Sequence, residues 1–152
     1  MGDRSNIVIE DKWGKRTERV YLYSHWGGER VLKAAMTGLR SGRATDNQYL
    51  ARIVFDAMVG EDQGSETGYG IGGRLGDNEH PILVISDTRN KGTVVYFENQ
   101  SDYGQPFKRI TKKMSYTEFV ALVESIPEWE KLTDSNELYD LLIQHMAESD
   151  IA

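Results

Sequence analysis

The apolar positions of this chain fall into two kinds of run. Asn6-Ile-Val-Ile-Glu10 and Ile82-Leu-Val-Ile-Ser86 are short, nearly unbroken stretches of branched residues, the composition of buried strands. Arg19-Val-Tyr-Leu-Tyr23 and Thr93-Val-Val-Tyr-Phe-Glu98 are mixed aromatic and branched segments. The first two segments in chain order pair as a hairpin across the polar loop Asp11–Lys15. The last pair forms a second hairpin across Asp87–Gly92.

Elsewhere the spacing is helical. Val31, Leu32, Ala35 and Leu39 share one face of a helix over Glu29–Leu39, with Gly38 and Gly42 bracketing its end. Leu50, Ile53, Val54, Ala57 and Met58 mark a second helix, opened by a Thr45…Gln48 capping box and stopped by Gly60. After a polar stretch with Gly104 and Pro106, Ser115…Glu118 reads as another capping box. It precedes Phe119, Leu122, Val123 and Ile126, and Pro127 ends that helix. A last helix starts at Asp134–Glu137 and carries Leu138, Leu141, Leu142, His145 and Met146 on one face, with His145 expected as a core or interface residue. Trp129 is expected as a packing anchor. The order ββαα(β)ββαα predicts a single α+β domain over residues 1–152. Its mostly antiparallel sheet, from two hairpins, packs against about four helices, with 114–149 as a C-terminal helical part.

Composition narrows the chemistry. The chain has 152 residues, one core's worth, and no cysteine, which excludes disulfides and thiolate chemistry. No run suits a membrane helix and no signal core opens the chain, so the expected location is cytoplasmic with no membrane partner. The formal charge is −6, against general nucleic-acid binding. Yet residues 1–45 hold nine basic and five acidic side chains, whereas the two later blocks are acidic. The basic positions include Lys12, Lys15, Arg16, Arg19, Arg30, Lys33, Arg40 and Arg43. They form either one anion-attracting surface or side chains on separate faces.

Candidate chemistry gathers at two glycine-rich segments. In Tyr21-Leu-Tyr-Ser-His-Trp-Gly-Gly-Glu29 a strand hands over to a helix through Gly27 and Gly28, whose amides can meet an anion. Ser24, His25 and Trp26 flank that turn and Arg30 adds charge; the competing reading is a tight turn completing the core. In Thr67–Pro81, Gly68, Gly70, Gly72, Gly73 and Gly76 miss the dinucleotide fingerprint. There Tyr69 can stack and Arg74 can bind phosphate, if the segment is a pocket loop and not a plain connector. Asp77, Glu79 and His80 match no metal-ligand spacing, so neither a metal nor a cofactor is expected. Ser24 and His25 are neighbours on a strand and point to opposite faces, which disfavours a nucleophile–base pair. Asn99-Gln-Ser101 and the start at Gly2 carry no expected modification.

The segments Ile7–Glu10, Val20-Tyr-Leu-Tyr-Ser-His-Trp-Gly-Gly-Glu29, Tyr49-Leu-Ala-Arg-Ile53 and Asp77-Asn-Glu-His-Pro81 resemble a family of small uncharacterised proteins of bacteriophages and actinobacteria. The resemblance spans roughly residues 6–98. It implies an accessory, anti-defence setting and no transferable activity. The leading expectation is a non-catalytic binding protein that sequesters a small anionic ligand such as a nucleotide or an ADP-ribose derivative. Its contacts would be Ser24, His25, Trp26, Gly27, Gly28, Arg30, Tyr69 and Arg74, and a homo-oligomer could build the pocket through the C-terminal helices. The alternative is an inhibitor of a host defence protein acting through an acidic surface near 118–150. A third reading is a small hydrolase using His25, Glu79 or His80.

Overall fold

β1 (Ser5–Trp13) and β2 (Arg16–Ser24) form a longer hairpin than the hydrophobic runs predict. Asp11, Lys12 and Trp13 continue the strand and pair with Glu18, Thr17 and Arg16. The expected polar loop shrinks to Gly14 and Lys15, with Gly14 at φ 61°. Polar residues stay in the ladder here because cross-strand partners, not burial, hold that end of the hairpin.

The remaining elements are α1 (Gly28–Leu39), α2 (Asn47–Val59), a short 3-10 turn (Gly60–Asp62), β3 (Tyr69–Gly72), β4 (Ile82–Thr88), β5 (Gly92–Glu98), β6 (Met114–Ser115), α3 (Tyr116–Ser125) and α4 (Ser135–Met146). The structure is a computed structural model in which residues 3–88, 92–99, 107–133 and 135–147 are described. The turn residues Arg89–Lys91, the Gly104–Pro106 stretch, most of Asn99–Ser101 and the Asp134 cap lie outside them.

The sheet order is β3-β2-β1-β4-β5-β6. The class is α+β as the element order predicts, but the sheet is mixed. Both hairpins are antiparallel, and they join through a parallel β1–β4 pair in the register Ile7↔Leu83, Val8↔Val84 and Ile9↔Ile85. The helices and β3 between these strands supply the long connection that parallel pairing requires. β1 and β4 are the central strands and are covered on both sides, which explains their unbroken apolar runs.

Alternation assigns the two faces. Ile7, Ile9, Leu22, Leu83, Ile85 and Phe97 meet the helices in the main core. Val8, Tyr21, Ile82, Val84 and Tyr96 form a smaller buried cluster on the opposite face, where Leu75 packs over them. Against the main face, α1 buries Val31, Leu32, Ala35 and Leu39 and α2 buries Leu50, Val54 and Met58. Ser115 caps α3 as expected, accepting from the Glu118 amide at 3.2 Å. Trp129 is buried, with the Arg40 guanidinium 5.0 Å from its ring centre.

Two local expectations change. The Thr45…Gln48 capping box does not form, and α2 starts one residue after Asp46 without a side-chain cap. Asn47 sets that start instead: its amide nitrogen donates to the Glu10 carbonyl at 3.1 Å and the Asp11 carboxylate at 2.7 Å, fastening α2 to β1. On α4 the buried face runs through Leu138, Tyr139, Leu142 and Met146, so His145 is exposed and not a core residue.

The α1–α2 contact depends on Gly38, where an added Cβ would lie 2.9 Å from Leu50 Cδ1 and closer still to Val54. Gly38→Val should therefore destabilise the protein by about 2 kcal/mol through overpacking. Gly42→Ala, with open space around it, should stay within about 0.5 kcal/mol of wild type. Urea unfolding of the two variants checks the contrast.

Candidate functional site

The parallel register places the approach to β4 beside the approach to β1, and β2 ends at the same edge of the sheet. Asp3, Ser24, His25 and His80 therefore gather where α1 begins. Gly27 enters α1 in the left-handed region, φ 70° and ψ 59°. Ser24 is buried and its hydroxyl donates to the Trp26 carbonyl at 2.5 Å.

The amide of Gly28, expected to face a ligand anion, already donates to Asp3 Oδ2 at 2.8 Å. The other carboxylate oxygen of Asp3 meets His80 Nε2. His80 is buried and stacks on Tyr139, with ring centres 4.8 Å apart and planes 4° from parallel. The Tyr139 hydroxyl in turn reaches the Gly28 carbonyl at 3.3 Å, and burial holds this phenol well above its ordinary range. An added Cβ on Gly28 would stand 2.6 Å from His80 Nε2, so the second glycine of the pair is required by packing. At the α1 N-terminus the anion in place is the chain's own carboxylate and not a ligand.

His25 and Trp26 lie on the outer side of this turn. The His25 amide donates to the Gly68 carbonyl and its carbonyl accepts from the Asp3 amide, both at 2.8 Å. Its ring meets the Tyr23 hydroxyl through Nδ1 at 3.0 Å and Trp26 edge-to-face at 4.9 Å. Trp26 is 47% exposed, and its ring lies against Gly68, which at φ 98° leaves no room for a Cβ.

Next to Gly68 opens a groove of about 700 Å³ between the end of α2 and β3. Phe55, Asp56, Val59 and Gly60 form one wall; Tyr69, Gly70 and Ile71 form the other. The Tyr69 hydroxyl donates to Asp62 Oδ2 at 2.7 Å across one end. Burial, and then this carboxylate, raise the Tyr69 pKa above its usual value. The Arg30 guanidinium stands beside Gly60, 3.7 Å from where a Cβ would be.

The expected site residues therefore separate. Tyr69 lines the groove, Arg30 stands beside its Gly60 wall, and Trp26 packs on Gly68, the residue before Tyr69. Ser24, Gly27 and Gly28 are spent on the turn, and His25 supports Trp26. Arg74 is exposed beyond β3, where the chain leaves the groove. The following residues cross to the opposite sheet face, Leu75 packing on the smaller cluster and Gly76 against the Tyr23 ring.

Asp77 and Glu79 pair with Arg4 at 3.3 and 3.5 Å. The Arg4 amide, then its guanidinium, hold the Glu79 carboxyl below its usual range. Among the described residues no group of three His, Asp or Glu side chains is placed to hold a metal. The basic N-terminal positions also disperse: Arg16 pairs with Glu18, Arg40 with Glu124, Arg43 with Asp46, and Lys33 reaches the Leu132 carbonyl.

One polar cluster carried no sequence signal beyond a charged residue in an apolar run. On the face away from the helices, the Arg19 guanidinium donates to Glu10 Oε2 at 2.6 Å and to Glu98 Oε1 and Oε2 at 2.7 and 3.0 Å. Both carboxylates are buried. Ser86 donates to Glu10 Oε1 at 2.8 Å. Burial, then the charges of Glu10 and Glu98, push the Tyr96 phenol up to about 12.

Removing the shared cation takes the guanidinium from the buried Glu98 and leaves Glu10 only the Lys12 cation at 3.8 Å, so Arg19→Met should cost about 3 kcal/mol or more in a denaturant titration. The folded Tyr96 binds its proton more tightly than an unfolded tyrosine, whose pKa is 10.0. Its contribution to stability is therefore complete below pH 10 and lost as pH rises toward about 12. Tyr96→Phe should flatten that alkaline decline. Unfolding midpoints measured between pH 9 and 11 would show it.

No helix among the described residues is long and apolar enough to cross a membrane. Compared with protein-family models, curated proteins and solved structures, the chain matches none of them.

Proposed function

We propose that this protein is a non-catalytic binder of a small nucleotide-type ligand, held in the groove between α2 and β3. The carrying observation is the Tyr69–Asp62 pair within one opening of about 700 Å³ whose Gly60 wall stands beside Arg30, a volume suited to a ligand of that size. The Tyr69 ring offers a stacking surface for a base. The Asp62 carboxylate accepts one hydrogen bond from Tyr69 and has further lone pairs for ribose hydroxyls or an exocyclic amine. Arg30 brings a bidentate cation to the Gly60 side, where a phosphate would lie. Trp26 extends the aromatic surface at the rim, held by Gly68 and the His25 ring.

The reading needs no reaction. The Ser24 hydroxyl is bonded to a backbone carbonyl and the His25 ring to Tyr23, so the two share no nucleophile–base contact. The His80 ring is buried against Asp3 and Tyr139. Phosphate contacts would come from Arg30, beside the Gly60 wall.

Isothermal calorimetry against cyclic nucleotides and ADP-ribose derivatives tests this reading. Binding is expected for at least one of them. Tyr69→Ala should weaken it by about tenfold or more, the scale of one lost base stack. Arg30→Ala should weaken it further at low salt. No heat from any member of the panel, or an affinity indifferent to Tyr69, would overturn the proposal.

A further inference from the structure

The groove between α2 and β3 carries two carboxylates on its walls, Asp56 and Asp62. They differ in what they have left to offer a ligand. Asp56 is paired with Arg52 at 2.8 Å. Asp62 accepts the Tyr69 hydroxyl through Oδ2 at 2.7 Å, and its Oδ1 has no partner among the described residues.

The hydroxyl of a tyrosine lies in the plane of its ring, so Asp62 stands at the edge of the Tyr69 ring. No other ring stacks on Tyr69 among the described residues. A planar base resting on that ring therefore turns an edge toward the Asp62 carboxylate. In a purine, the edge farthest from the sugar is the one used in base pairing. An ionised carboxylate only accepts, so the edge it meets must donate. Guanine has two adjacent donors there, N1–H and the N2 amine. Adenine and cytosine set their amine beside a bare ring nitrogen, whose lone pair would face the carboxylate. Uracil sets its one N–H between two carbonyls. Gln63, the next residue after Asp62, lines the same wall, and its side-chain amide can donate to guanine O6.

We propose that the groove selects guanine, with Asp62 as the specificity-determining residue that accepts N1–H and the N2 amine of a guanine stacked on Tyr69. This inference rests on the reading of the groove as a nucleotide site and narrows it to guanine nucleotides. Asp62 receives both bonds while keeping the Tyr69 hydroxyl, because a carboxylate has about four lone-pair sites. Discrimination comes from the wrong bases as much as from the right one: they leave acceptor facing acceptor and the carboxylate without its bonds.

The test is calorimetry of the full chain with guanosine, inosine and adenosine monophosphate, which share sugar and phosphate. Inosine keeps N1–H and lacks the N2 amine; adenosine presents a bare N1. The guanosine nucleotide should bind tighter than the inosine one by about tenfold and tighter than the adenosine one by about a hundredfold, the scale of one and two charge-assisted hydrogen bonds. This ranking is read on the wild-type chain and needs no variant to fold. Asp62→Asn puts a donor where an acceptor stood. It should weaken the guanosine nucleotide by about tenfold or more and leave the adenosine one unchanged or tighter. Equal weakening of all three in Asp62→Asn would mark a purely structural role and overturn the proposal. Equal wild-type affinities that are all lost in Tyr69→Ala would overturn the choice of guanine and leave the nucleotide reading standing, as would binding of ADP-ribose without the guanosine nucleotide. No heat from any nucleotide would overturn both.

Discussion

The parallel pairing of β1 with β4 decides where everything else in this molecule lies. It joins two hairpins that would otherwise be separate marginal units, and makes both partners central strands. Its register sets Glu10 beside Ser86 on one face, the pair that starts the buried ionic cluster. The same register sets Asp3 and Arg4 beside Glu79 and His80 at the strand entrances. Since β2 runs antiparallel to β1, the turn into α1 arrives at that edge too. The candidate site is thus a consequence of one strand pairing.

Local patterns and long-range pairings differ in how far they could be read from the chain. Ile7–Ile9 and Ile82–Ile85 announce buried strands because both faces are covered, and the stripes of α1 and α2 announce their buried sides. The parallel β1–β4 contact joins segments some 76 positions apart and leaves no local trace, so a mostly antiparallel sheet was the natural expectation. The strand extension through Asp11–Trp13 is hidden for a related reason: its support comes from partners on β2 and from Asn47, not from apolar spacing.

The site divides in the same way. The glycines mark tight places in the fold, since Gly27, Gly28 and Gly68 each occupy a position where a side chain would be strained or would clash. They did not say what approaches them. At Gly28 it is His80, and at Gly68 it is Trp26. Asp3 as the helix's anion and Tyr139 as the platform for His80 depend on tertiary neighbours alone. The groove itself needed α2, the turn after it and β3 to come together, which no single motif encodes.

Charge gains meaning only once it is placed. The basic excess of the first third disperses, largely into ion pairs that include the half-buried Arg19 guanidinium, and Arg30 stands beside the Gly60 wall of the groove. Exposed Glu118, Glu124, Glu128, Glu130, Glu137 and Asp140 place acidity on and near α3 and α4, while Asp56 and Asp62 line the groove itself. The most direct measurement is mass spectrometry of the protein purified from cells, first native and then denatured. The account predicts a mass excess from a small ligand that is released intact on denaturation and is lost in Tyr69→Ala. A ligand-free chain, a chemically altered ligand, or a stoichiometric protein partner in its place would contradict it.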